Sequence, residues 1–223
     1  MDVGQRRMDS IAANLANVTT PAFKRLSTST QAFKVSRGGH DVSGVRLRQQ
    51  VDFTQGILER TSAPTDVALV GDGFFVVDSR AGELYTRNGS FRLDEEGTLM
   101  THEGYPVAWE GARGRIDSVG AEIVIDPTGT VRQGSNTVGK LKLVSFDDPT
   151  QLNIDRRGYF VAPPEMPRNE STAEVHQGAL ERSNVSAVDE LVSMIQVQRN
   201  FEVASNLMRS IDQTYRRLVQ QRG

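Results

Sequence analysis

The sequence predicts a mixed α and β chain, in which terminal α-helices pair as a coiled-coil-like domain beside a central all-β sandwich or irregular barrel. Three observations predict it. Apolar residues near the C-terminus recur at alternating steps of three and four, short β-type runs fill the middle, and a shorter helical pattern opens the chain. The expected partition is an N-terminal helix in 1–23, a linker loop in 24–50, a β domain in 51–175 and a long C-terminal helix in 176–223.

At the start, Met8, Ile11, Leu15 and Val18 fall on one helical face. Asn17-Val18-Thr19-Thr20-Pro21 stops that helix, because β-branched residues and proline disfavour its continuation. Residues 24–50 are polar, with Ser27-Thr28-Ser29-Thr30 and Gly38-Gly39, and read as a loop or linker. The period then changes. Val67-Ala68-Leu69-Val70, Phe74-Phe75-Val76-Val77, Ile123-Val124-Ile125 and Leu141-Lys142-Leu143-Val144 are strand-like runs punctuated by glycines. Asp72-Gly73 and Asn88-Gly89 suit tight turns.

The C-terminal signal is the clearest. Met194, Val197, Phe201, Ala204, Met208, Ile211, Tyr215 and Leu218 form an unbroken seam, with no proline or glycine between Ser183 and Arg222. Val188, Leu191, Val192 and Ile195 form a second stripe expected to widen the buried face. A helix from Ala187 to Gln220 is about 50 Å long at about 1.5 Å per residue. Ser186 is placed to cap it, with Asp189 and Glu190 in the first turn where the helix dipole favours acids. One such helix cannot bury its seam against itself, and the opening helix is too short to cover all of it. The rest must meet the β domain or another chain. Leu15, Met194, Val197, Phe201, Met208, Ile211 and Leu218 are therefore the expected subunit-interaction residues. Asn14, Asn17 and Asn184 are expected to bond backbone groups at helix ends.

Composition narrows the functions. The formal net charge is −2, with a basic first fifty residues and an acidic middle, which gives no general attraction to nucleic acid. There are no cysteines, hence no disulfides, thiolate metal sites or cysteine nucleophiles. The opening heptapeptide lacks an apolar h-region, so no cleavable secretory signal is expected. His40, His102 and His176 stand singly, without metal-ligand spacing. Gly71-Asp72-Gly73 runs into a strand rather than the helix a phosphate loop requires. Asp94-Glu95-Glu96 and Asp147-Asp148 lie in turn contexts beside Gly97 and Pro149, and Trp109 is the only tryptophan, so solvated turns are expected rather than a glycosidase pair. No enzyme, cofactor, metal or small-molecule substrate is expected.

Several stretches together resemble the flagellar basal-body rod and hook proteins, in particular the FlgF/FlgG type. They are Ile11-Ala12-Ala13-Asn14-Leu15-Ala16-Asn17 with its trailing Pro21-Ala22-Phe23-Lys24; Gln55-Gly56-Ile57-Leu58-Glu59-Arg60; and Gly71-Asp72-Gly73-Phe74-Phe75 with Tyr85-Thr86-Arg87-Asn88-Gly89-Ser90-Phe91. Near the end, Gln177-Gly178-Ala179-Leu180-Glu181-Arg182-Ser183-Asn184 precedes Glu190-Leu191-Val192-Ser193-Met194. The resemblance implies a structural subunit exported by the flagellar type III apparatus without a cleaved signal. Such a subunit joins copies of itself and other rod and hook proteins in the periplasm-spanning drive shaft. The short connection between Lys24 and Gln55 is similar to the proximal rod type, whereas Gln196-Val197-Gln198-Arg199 is similar to the distal type. Members of this type begin with an extra apolar, small-residue turn before the position matching Asp2, which bears on the export signal. Two other readings remain: a peptidoglycan-cutting enzyme with a coiled-coil tether, and a coiled-coil scaffold outside the flagellum.

Overall fold

The computed structural model describes the backbone of residues 2–37, 40–112, 114–117, 120–155 and 157–220, with side chains described for these apart from 2, 30–37, 40–47, 212 and 214–220. The chain divides into two compact units. One comprises Met1–Val18, Leu26–Val51 and Val185–Gly223, and the other Thr19–Arg25 and Asp52–Asn184.

The first unit holds helix α1 (Asp2–Ala16), strands β1 (Leu26–Arg37) and β2 (His40–Val51), and helix α2 (Ala187–Gln220). β1 and β2 form an antiparallel hairpin in register from Leu26 opposite Val51 to Arg37 opposite His40. Residues 24–50 are thus largely a ribbon where a linker was expected. Gly38-Gly39 separates two extended runs, a spacing that selects a hairpin. α2 begins where its Ser186 cap indicates: Ser186 Oγ accepts from the Asp189 N–H at 3.4 Å.

The second unit is built of short antiparallel strands. Its largest sheet runs in the order Asn153–Ile154, Phe160–Val161, Gly82–Thr86, Phe74–Ser79, Leu143–Ser145 and Asn169–Glu170. A four-stranded sheet follows the order Ile123–Ile125, Thr130–Gln133, Asn136–Leu141, Trp109–Glu110. Three two-stranded pairs complete it, including Val67–Val70 with Glu174–Gln177 and Leu58–Arg60 with Ala179–Glu181. The continuous apolar run Phe74-Phe75-Val76-Val77 is buried throughout, because successive strand residues face opposite sides and both sides are covered. Phe75 packs edge-on to Phe91 in the main core with Leu69, Leu99, Ile116 and Leu141. Phe74 points the other way, into Phe53, Phe146 and Phe160. Each such buried side chain contributes about 1.5–3 kcal/mol relative to exposure.

The structure corrects the expected fold class. The chain is mostly β, with two α-helices among the described residues. The terminal helices touch without forming a coiled coil, and among the described residues no sheet closes into a barrel. The strands responsible are two to six residues long, too short and too often interrupted by glycine turns to wrap a closed circuit. The helices fail to coil because a seam needs successive apolar layers on both partners, and α1 offers 15 residues to the 34 of α2.

Candidate functional site

Among the described residues no group of His, Asp and Glu gathers to hold a metal ion, and the helical elements present a helix pair with uncovered apolar surface. On α1, Ile11 is buried, and Met8 and Leu15, one turn to either side, are half-buried. On α2, the 3–4 spacing aligns Glu190, Met194, Val197 and Phe201, of which Glu190 and Val197 are buried and Met194 and Phe201 half-buried. The helices run antiparallel along this stretch. Gly4 lies against the Phe201 ring so closely that a Cβ there would come within 2.7 Å of it. Toward the other end, Asn14 Nδ2 donates to Glu190 Oε1 at 3.2 Å.

The expected interaction residues divide on this geometry. Leu15, Met194, Val197 and Phe201 lie in the helix pair. Met208 and Ile211 continue the same sequence pattern yet are more than half exposed, at 55% and 54%. The side chain of Leu218 lies outside the described residues. The second stripe is not the widened buried face expected of it: Val188, Leu191, Val192 and Ile195 are all exposed. At 3.6 residues per turn these four project from the side of α2 away from Val197 and Phe201.

The three asparagines all bond main-chain atoms. Asn17 Nδ2 donates to the Ala13 carbonyl at 2.8 Å, at the last turn of α1. Asn14 does more than close a helix end: Oδ1 accepts from the Leu26 N–H and Nδ2 donates to the Leu26 carbonyl, both at 2.8 Å. That two-point pairing fixes the base of β1 to α1, while the bond to Glu190 fixes α1 to α2. In the other unit, Asn184 Oδ1 accepts from the Arg25 N–H at 2.7 Å and Nδ2 donates to the carbonyls of Asp52 and Thr54.

A charged node that the sequence reading did not single out sits in the β unit. Glu181 Oε1 accepts from Lys24 Nζ at 2.6 Å and from the Gly56 N–H at 2.8 Å, and Oε2 accepts from Arg87 Nε at 3.1 Å. Arg87 Nη1 donates to the carbonyls of Gly71 and Gly73, and Lys24 Nζ to that of Thr54. All three side chains are buried, and every charge has partners, as a low-dielectric interior demands. Burial pushes the Lys24 ammonium down, an effect that the Glu181 carboxylate opposes. Gly56 is required by close approach, since a Cβ there would fall 2.0 Å from the Arg182 carbonyl oxygen. Ala22 is held at φ 56°, a left-handed conformation costing about 1 kcal/mol, with its N–H donating to the Glu181 carbonyl at 2.7 Å. No local pattern marks the three: Lys24 and Glu181 each adjoin a second charge, Arg25 and Arg182, and Arg87 sits in a turn-flanked polar run.

The carboxylates weighed as catalytic candidates serve turns. Asp94 Oδ1 accepts from the N–H groups of Glu96 and Thr98, and Asp148 Oδ1 from that of Thr150. His102 Nε2 lies 3.2 Å from Ser90 Oγ, and His176 Nε2 lies 3.7 Å from a Glu174 carboxylate oxygen.

Comparison with known proteins gives one consistent result. The family model described as flagellar basal body rod FlgEFG protein C-terminal matches residues 176–221, and that of the flagellar hook protein FlgE/F/G D1 domain matches 68–133. Among curated proteins, the flagellar basal-body rod protein FlgF of Caulobacter vibrioides is 33% identical over 98% of this chain and 93% of its own length. FlgF of Mesorhizobium japonicum is 34% identical over 92% and 87%. The rod protein FlgG of Buchnera aphidicola subsp. Acyrthosiphon pisum is 32% identical over 99% and 95%. With overall identity above 30% to relatives that align with more than nine-tenths of the chain, this protein belongs to the flagellar basal-body rod protein family.

Proposed function

We propose that this chain is a structural, non-catalytic subunit of the flagellar rod that polymerises through its terminal helices into the axial shaft. One observation carries the reading: α2 is 34 residues long, α1 is 15, and α2 exposes apolar side chains on two sides. Leaving Val188, Leu191, Ile195, Leu207 and Ile211 in water forgoes burial free energy that a neighbouring subunit recovers. The partners are copies of this chain and other rod and hook proteins, joined through heterologous contacts whose rotation does not close. Leu15, Met194, Val197 and Phe201 shape the helix pair, Met208 and Ile211 extend toward neighbours, and Leu218 joins the interaction set by its place in the sequence pattern. Asn14, Asn17 and Asn184 fix the backbone where the terminal segments meet the strands.

The subunit reaches the periplasm-spanning rod through the flagellar type III apparatus, and a chain without cysteines carries no disulfide to obstruct passage. The proximal position is favoured over the distal one, on the short connection between Lys24 and Gln55. Deleting residues 186–223 tests the reading. Rod assembly and swimming fail if it holds, and cells that swim normally with the truncated protein reject it.

A further inference from the structure

Two of the exposed apolar features of α2 are complementary. One is a ridge, made by Val188, Leu191, Val192 and Ile195. The other is a notch of about 300 Å³ beside the first turn of α1, lined mostly by the apolar Val3, Val197, Phe201, Ala204 and Met208, with Asn200 and Ser205 beside them. Gly4, with no side chain, lets the Phe201 ring pack against its backbone, and that ring is part of the notch wall. Around the axis of α2, ridge and notch lie roughly 150° apart, and along it their centres are about 16 Å apart.

Resting on the rod-subunit reading, we propose that the ridge of one copy seats in the notch of the next copy, the two α2 helices side by side and offset by that 16 Å or so. Three features select a second copy as occupant. The ridge supplies branched aliphatic side chains and the notch an apolar wall of matching character, so each covers what the other exposes. Charges at the edges agree: Asp189, an exposed acid, flanks the ridge, and Arg7, an exposed base, stands at the notch. Finally, a single self-complementary face would close a dimer, whereas two different faces on opposite sides of one helix leave a free ridge and a free notch after every addition. That is the property an open-ended polymer needs.

The chain has no cysteine, so engineered thiols report the contact without background. Full-length protein is concentrated and oxidised as Ile195→Cys alone, Ala204→Cys alone, an equal mixture of the two, and the double variant. The pairing predicts little cross-linking in either single variant, a dimer in the mixture, and a ladder of trimers and longer species in the double variant. Adding Arg7→Glu to the notch partner lowers the yield about fivefold, and Asp189→Arg on the ridge partner restores it. A double variant that stays monomeric, or single variants that cross-link as well as the mixture, overturns the pairing. If that happens while truncation at 186 still abolishes swimming, the rod assignment stands and only this contact falls.

Discussion

Among the described residues each compact unit buries one carboxylate to about 1% exposure, Glu181 in the β unit and Glu190 on α2. Glu181 meets two full positive charges and a backbone N–H within 3.1 Å. Glu190 accepts from the Asn14 amide at 3.2 Å, one of its contacts. The surroundings of the two carboxylates differ. Around Glu181 lies a unit whose aromatic and aliphatic residues are largely inside, whereas the helix carrying Glu190 displays a row of aliphatic side chains to water. The difference teaches that one unit keeps its apolar residues inside, and the other is organised by a few polar pins and leaves apolar surface in water.

The sharpest way to break that contrast is at Glu181. Glu181→Ala leaves Lys24 and Arg87 buried without their counter-charge, a loss of about 3–5 kcal/mol. Denaturant unfolding of the full chain should show it as a lower midpoint of the β unit's transition. A loss under about 1 kcal/mol would mean that water reaches the node and that the β unit is less closed than its burial implies. Next comes Asn14→Ala, which strands the Leu26 N–H and carbonyl and removes a partner of Glu190. The expected cost is about 1–3 kcal/mol, confined to the helical unit. Hydrogen exchange checks it: amides of α1 should exchange faster, while those of Phe74–Ser79 keep their protection.

How legible each unit was from sequence follows the same division. The helices were readable because their pattern is local: Met8, Ile11 and Leu15 set one face, and α2 starts at its Ser186 cap and runs without a breaker. The family was readable from motifs such as Asn14-Leu15-Ala16-Asn17 and Tyr85-Thr86-Arg87-Asn88. The hairpin was missed because its strands are polar at most positions, so no buried face announces them and only Gly38-Gly39 marks the turn. The coiled-coil expectation failed through a cause the heptad pattern does not contain, namely how much partner helix exists to receive the seam. The Lys24–Arg87–Glu181 node was invisible because it joins residues far apart in sequence, and a charge in a strand reads as surface until the fold buries it.

A smaller effect, of up to about 1 kcal/mol, sits at the edge of the β unit. A hydrogen bond from Lys142 Nζ, at 2.5 Å, holds the Glu83 carboxyl below its ordinary value near 4.5, helped by Tyr85 and Arg168. A carboxyl whose folded value is lowered adds stability above its unfolded value and loses it as pH falls through the folded one. Lys142→Met should therefore be less stable than wild type at neutral pH, with the gap closing below about pH 4. A gap that stays constant from about pH 3 to 7 would show that the loss does not run through ionisation of the Glu83 carboxyl.

The smallest expected change separates folding from assembly most cleanly. Leu191 is 47% exposed and lies on the α2 face away from Val197 and Phe201. Leu191→Ser removes aliphatic surface that the isolated subunit leaves in water, so its unfolding free energy should stay within about 0.5 kcal/mol of wild type. A buried leucine truncated to a small residue loses about 2–5 kcal/mol, so the two possibilities are far apart. Thermal unfolding of the purified chain decides between them, and a swimming assay in cells carrying the variant supplies the second half. Unchanged melting with impaired swimming identifies Leu191 as surface meant for a neighbour. A large drop in melting would show instead that the helical unit buries this face in solution, and the contrast between the two units would lose its basis.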